Sequence, residues 1–112
     1  MNFIIKLLLS ALAVMLVAYL LPGVNVENFW VALLVAAVLA LLNVTLKPLL
    51  IVLTIPVTLI TLGLFLLVIN ALMILLVDAF ISGFMVSNFW WALAFSLILS
   101  IVTSLFENIA GS

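Results

Sequence analysis

Residues 42–63 read LNVTLKPLLIVLTIPVTLITLG, and the way this stretch folds decides the architecture of the whole chain. It holds two of the three prolines and the second of two lysines, Lys47, and it has no counterpart elsewhere in the sequence. The apolar run continues past it, so that between Pro48 and Ile81 the only charge is Asp78. As one helix that run would measure about 51 Å, against a hydrocarbon core of about 30 Å, and it must therefore be interrupted. Pro56 and Gly63 are the breakers inside it. Proline lacks a backbone donor, and glycine tolerates turn conformations. The spacing predicts a short helical segment over Leu49–Ile55, which at about 12 Å does not cross. A span then runs from roughly Leu59–Gly63 to Ile81.

Working outward, the chain has 112 residues, of which 72% are apolar and 4% charged. A soluble domain carries about a quarter of its residues charged, so the lipid bilayer is the expected partner of this surface. Three further spans are predicted. The first covers about Phe3–Leu21 and is stopped by Pro22-Gly23, with Lys6 near enough to the end for its ammonium to snorkel to the headgroups. No clear small-x-small cleavage site follows Leu21, and this segment is read as a retained span rather than a signal peptide. The second opens at Phe29-Trp30 behind Asn28 as N-cap and runs to about Leu46, where Lys47-Pro48 ends it. The last runs from Phe89 to about Phe106.

The two halves repeat at an offset of 60 residues without a gap. Gly23 aligns with Gly83, Val26 with Val86, Asn28-Phe29-Trp30 with Asn88-Phe89-Trp90, and Ala32-Leu33 with Ala92-Leu93. If Leu49–Ile55 does not cross, the halves point the same way; a crossing would make them inverted, as in many transporters. The expected fold is all-α, a single membrane domain over residues 1–112. Four transmembrane helices form two tandem parallel helical hairpins, repeat 1 over about 3–46 and repeat 2 over about 60–106. A short proline-bounded helix, interfacial or re-entrant, joins them over about 47–57. Lys6 and Lys47 then share one side while Glu27 lies on the other. By the positive-inside rule both termini are cytoplasmic, in the inner membrane of a bacterium.

Residues able to carry chemistry are few. There is no cysteine and no histidine, and the carboxylates Glu27, Asp78 and Glu107 belong to separate loops or ends. Nucleophilic Cys/His catalysis and imidazole metal ligation are therefore not expected, no cofactor is implied, and the chain is read as a non-enzyme. Two basic residues cannot form a nucleic-acid footprint. The candidate functional or structural positions are Asn43, Lys47, Pro48, Pro56, Gly63, Asn70 and Asp78. Asn70 lies inside the hydrocarbon and needs a partner for its amide, for which Asn43 is the nearest polar group of similar depth. Asp78 lies about a turn from the outer end. Ala32, Ala36 and Ala40 on the second helix, and Ala92, Ser96 and Ser100 on the fourth, form small-residue stripes suited to close helix packing and to a homo-oligomer. A pore lining by Ser96, Ser100, Thr103 and Ser104 is the alternative use of the fourth helix.

Asn43-x-x-x-Lys47-Pro48-Leu49-Leu50, then Thr54-Ile55-Pro56, Thr61-Leu62-Gly63-Leu64-Phe65 and Val68-Ile69-Asn70-Ala71-Leu72, resemble the pattern of a known group. It is that of the small bacterial four-span proteins catalogued as a phage holin family, superfamily IV. The resemblance covers nearly the whole chain. It implies an oligomerising inner-membrane protein that opens lesions, although many holins carry a charged C-terminal tail and residues 107–112 hold one charge. The functions open at this point are an accessory or envelope-related membrane protein, a holin-like oligomeric pore former, and a small channel or transporter.

Overall fold

The computed structural model describes residues 2–61 and 63–109; Met1, Leu62 and residues 110–112 lie outside the described residues. Six helices and two short strands follow one another as α1 Phe3–Leu20, β1 Val24–Val26, α2 Phe29–Val44, α3 Leu46–Leu53, α4 Ile55–Ile60, α5 Phe65–Phe80, β2 Phe84–Val86 and α6 Phe89–Ile109. The chain is thus mostly helical. α1 packs on α2 and α5 on α6, and the two pairs meet through α1 against α6 and α2 against α5.

Helix starts follow local chemistry. Asn2 Oδ1 accepts the Ile4 N–H at 2.7 Å, Asn28 Oδ1 the Val31 N–H at 3.0 Å, and Asn88 Oδ1 the Trp91 N–H at 3.1 Å. Each satisfies a donor of the first turn that has no partner within its helix.

Prolines act differently from the expectation. The second helix ends at Val44, not at Leu46, and Lys47 and Pro48 lie in the first turn of α3. The reason is that a proline breaks the helix on its N-terminal side. Pro48 lacks the N–H that would bond the Val44 carbonyl, and its ring clashes with that carbonyl four residues back. Pro56 does the same upstream of itself, so the linker is two short helices, α3 and α4, each with its proline in the first turn, rather than one helix between two prolines. α3 is turned by 44° from α2.

At each interruption a threonine hydroxyl donates to the carbonyl four residues back: Thr45 to Leu41 at 2.8 Å, Thr54 to Leu50 at 2.7 Å, Thr61 to Val57 at 3.0 Å. Thr61 Oγ1 also accepts the Phe65 N–H at 3.1 Å, which links α4 to α5 across Gly63, itself at φ +88°.

α1, with 18 residues, and α6, with 21, are long and apolar enough to cross a bilayer. α5 starts later than expected and, with 16 residues, measures about 24 Å. α6 runs past Phe106 to Ile109, which brings Glu107 into the helix.

The all-α expectation missed a clasp. β1 and β2 pair antiparallel, with Val24 opposite Val86, Asn25 opposite Met85 and Val26 opposite Phe84. Two further bonds extend the ladder, Glu27 N–H to Gly83 C=O at 2.8 Å and Ser87 N–H to Gly23 C=O at 2.9 Å. Every partner is the 60-residue counterpart of a residue on the other strand, so the sequence repeat is also a repeat of hydrogen bonds. Gly83 is left-handed at φ +89°, and the face of Gly23 is covered by the Trp91 ring.

Below the clasp lies the core. Val14 and Val17 of α1, Val35 of α2, Ile74 and Val77 of α5, and Phe95 of α6 are buried there with Val24 and Phe84. The Phe84 and Phe95 rings are 5.7 Å apart. Small residues allow this density: Ala32, Ala36, Ala92 and Ser96 are all buried. Those four belong to the faces expected to join copies of the chain. They are occupied within one chain instead, because close approach of neighbouring helices uses them first. Outside, Tyr19, Trp30, Phe80 and Trp90 are exposed around the clasp end, a position suited to headgroup depth.

Candidate functional site

At the end opposite the clasp the bundle does not close. A cleft of about 820 Å³ lies between the first half of α1 and the last turns of α2 and α6. Its rim is ionic. Lys6 Nζ stands 3.6 Å from Glu107 Oε1, with both side chains partly exposed. Ser10, Asn43, Ser100 and Thr103 also line the cleft, together with the apolar Leu7, Val14, Ala36 and Leu99. Local structure positions each of these. Asn2 caps α1 and sets Lys6 one turn in, while the break at Thr45 leaves Asn43 on the last turn of α2.

The polar groups differ in what they already hold. Thr103 Oγ1 donates to the Leu99 carbonyl at 2.7 Å, and Ser96 Oγ to the Leu93 carbonyl at 2.9 Å. These hydroxyls stay with their own helix. Ser96 is buried in the core and does not line the cleft. Ser10, Asn43 and Ser100 have no side-chain hydrogen bond to another described residue.

The seven positions singled out in the sequence do not form one site. Asn43 lines the cleft. Lys47 is half-buried in the first turn of α3 and lies away from it. Pro48 and Pro56 set helix breaks, and Gly63 has open space where a side chain would sit. Asn70 is half-buried on α5 and, among the described residues, makes no bond with Asn43. The expected pairing of the two amides is therefore absent, because α5 contributes nothing to the cleft in which Asn43 lies. Asp78 has a structural contact: its Oδ2 accepts the Val86 N–H at 3.4 Å and steadies β2.

Ser10, Ser100, Thr103 and Glu107 belong to the cleft and were not among those seven. The available signal was the pair of opposite charges near the outer ends of the first and last helices. Chemically the cleft offers an ion pair, hydrogen-bonding groups and an apolar floor. Among the described residues no group of three His, Cys, Asp or Glu is placed to hold a metal ion.

Comparison with known proteins places the chain. The family model described as mycobacterial 4 TMS phage holin, superfamily IV, matches residues 1–105. The uncharacterized membrane protein YvlD of Bacillus subtilis is 33% identical over 105 residues, covering 93% of this chain and 88% of the relative. An uncharacterized protein of Streptomyces coelicolor is 38% identical over 112 residues, covering 91% of this chain and 90% of the relative. No solved structure matches.

Proposed function

The chain belongs to the four-span phage holin superfamily IV, and from that membership we propose an accessory, non-enzymatic protein of the bacterial cell envelope, not itself a conduit. The observation that supports this reading is the blind end of the cleft. Between it and the clasp lie Val17, Val35, Val77 and Phe95, all buried, so the described residues of one chain offer no polar path from end to end. A conduit needs polar groups or water along its length.

In this reading the two halves are tandem parallel hairpins in the inner membrane, with both termini cytoplasmic. The register of the β1–β2 clasp, symmetric about the Asn25–Met85 pair of 60-residue counterparts, supports parallel halves related by a two-fold axis. Lys6, Lys47 and Glu107 then sit at the cytoplasmic face and the aromatic residues at the outer one. The linker belongs in the leaflet rather than on its surface, because Leu49, Val52, Leu53, Leu59 and Ile60 are exposed and apolar.

The family favours a second reading, a holin-like pore former. It would need several chains, joined through surfaces other than the buried Ala32, Ala36, Ala92 and Ser96. Induced expression in a bacterial host carrying a membrane-potential dye separates the two. The accessory reading expects a steady potential, and an abrupt, timed collapse with lysis would replace it by the holin reading. The transporter reading expects a measured flux to fall in Asn70→Leu or Ser96→Leu.

A further inference from the structure

We propose that the free edge of β1 is the interface at which two copies of this chain join, by antiparallel pairing of β1 with β1 of the second copy. This stands apart from the question of lysis and rests on which backbone groups of the clasp are already used. Opposite residues of an antiparallel pair alternate between those that exchange hydrogen bonds and those whose N–H and C=O point away from the partner strand. The bonds from Glu27 N–H to Gly83 C=O and from Ser87 N–H to Gly23 C=O set that alternation. In this register Asn25 and Met85 bond each other, while Val24, Val26, Phe84 and Val86 turn their backbone groups to the outer edges.

The two edges then differ. On β2 the Val86 N–H is taken by Asp78 Oδ2. The 60-residue counterpart of Asp78 is Ala18, whose methyl group can accept nothing. On β1 the Val24 N–H donates to the Leu21 carbonyl at 3.1 Å, while the Val26 N–H and the Val24 carbonyl have no partner among the described residues. A hollow of about 330 Å³ beside Ala18, Tyr19, Asn25 and Val26 leaves this edge uncovered. An anionic ligand would find no charge to hold it, since Lys6 stands at the opposite end and Lys47 on α3.

Unpaired edge groups are a template for another strand, and these two complete each other. With Asn25 facing Asn25 of the second copy across a two-fold axis, each Val26 N–H donates to the Val24 carbonyl of the other chain. That axis is perpendicular to the sheet, as is the one through the Asn25–Met85 pair, so both copies keep one orientation in the bilayer. The new contact continues the ladder that already joins the two halves. It cannot propagate through β2, where the Asp78 carboxylate stands in the place of an incoming carbonyl. The assembly closes at two, as an isologous contact does.

The chain has no cysteine, so single-cysteine variants of the full chain report the pairing by disulfide formation in bacterial membranes under a mild oxidant. Across the axis the two Asn25 Cα atoms are about 4.5 Å apart, within the about 4.4–6.8 Å of a disulfide. Met85, exposed on the outer strand, is about 14–16 Å from its equivalent and out of reach. Asn25→Cys should cross-link at least about tenfold more than Met85→Cys. Ala18→Asp gives the first half the carboxylate that closes β2, and Val26→Pro deletes the donor at an edge position that tolerates proline. Either change, added to Asn25→Cys, should lower the yield about tenfold through the loss of two backbone hydrogen bonds per dimer, with circular dichroism unchanged. The proposal is overturned if Asn25→Cys cross-links no better than Met85→Cys, or if neither Ala18→Asp nor Val26→Pro lowers its yield.

Discussion

Gly23→Ala is the sharpest test of the clasp. The backbone of Gly23 is not left-handed, so alanine brings no conformational strain there. It does bring a Cβ into the indole of Trp91, against Cγ, Cδ1 and Cδ2, where no real contact fits. The ring or the β1 backbone must move, and both are held. Val24 is buried next door, the Gly23 carbonyl accepts from the Ser87 N–H, and the backbone N–H of Trp91 donates to Asn88 Oδ1. Overpacking of this kind costs about 1–3 kcal/mol. Trp91 aligns with Val31 at the 60-residue offset, and at the other glycine Val31 faces the backbone beside Glu27. Trp91→Val should therefore make room for the alanine. In Trp91→Val the further change Gly23→Ala should cost less than about 0.5 kcal/mol, a coupling of about 0.5–3 kcal/mol. Gly83→Ala makes the contrast: it forces a left-handed alanine, worth about 1–2 kcal/mol, and Trp91→Val should leave that penalty intact. Unfolding free energies of the four variants of the cycle, from denaturing-detergent titration in mixed micelles, give the answer. A Gly23→Ala protein as stable as the parent, or a penalty that persists in Trp91→Val, would refute the packing assigned to this loop.

Thr61→Val should cost about 1–3 kcal/mol in the same titration, because it leaves the Phe65 N–H without its acceptor, and Thr61→Ser should recover most of it. Thr45→Val should cost under about 1 kcal/mol, since the Leu41 carbonyl still receives the Thr45 backbone N–H. Asn28→Ala and Asn88→Ala should each cost about 1 kcal/mol as lost N-caps, and an unchanged stability in either would contradict the caps described. Reporter domains fused after Lys47 and after Ser112 should both report a cytoplasmic location, and an external C-terminal fusion would overturn the parallel arrangement of the halves.

Much of the fold was legible because it depends on neighbours in sequence. A run of apolar residues too long for the bilayer must break, an asparagine before Phe29 or Phe89 caps, and Pro22-Gly23 stops a helix. The misplaced boundary at Val44 is instructive. The relevant interaction of Pro48 is with the carbonyl four residues upstream, so the visible residue and the break it causes do not coincide. The candidate site was less legible. Asn43 was identified as the nearest polar group of similar depth to Asn70, while Ser100 read as part of a small-residue stripe or a pore lining and nothing in the local sequence marks Ser10.

The sequence by itself determined the membrane class, the starts of α1, α2 and α6, the internal repeat and the family pattern around residues 42–63. Each of these follows from hydropathy, capping and proline geometry acting over a few residues. Only the tertiary structure decided that the repeat closes on itself through β1 and β2, since strands of three residues carry too little periodicity to announce a partner 60 positions away. It also decided which small residues face inward, and that Lys6 meets Glu107 over an open cleft. Those outcomes depend on where separate helices come to rest against one another, and no local rule contains that distance.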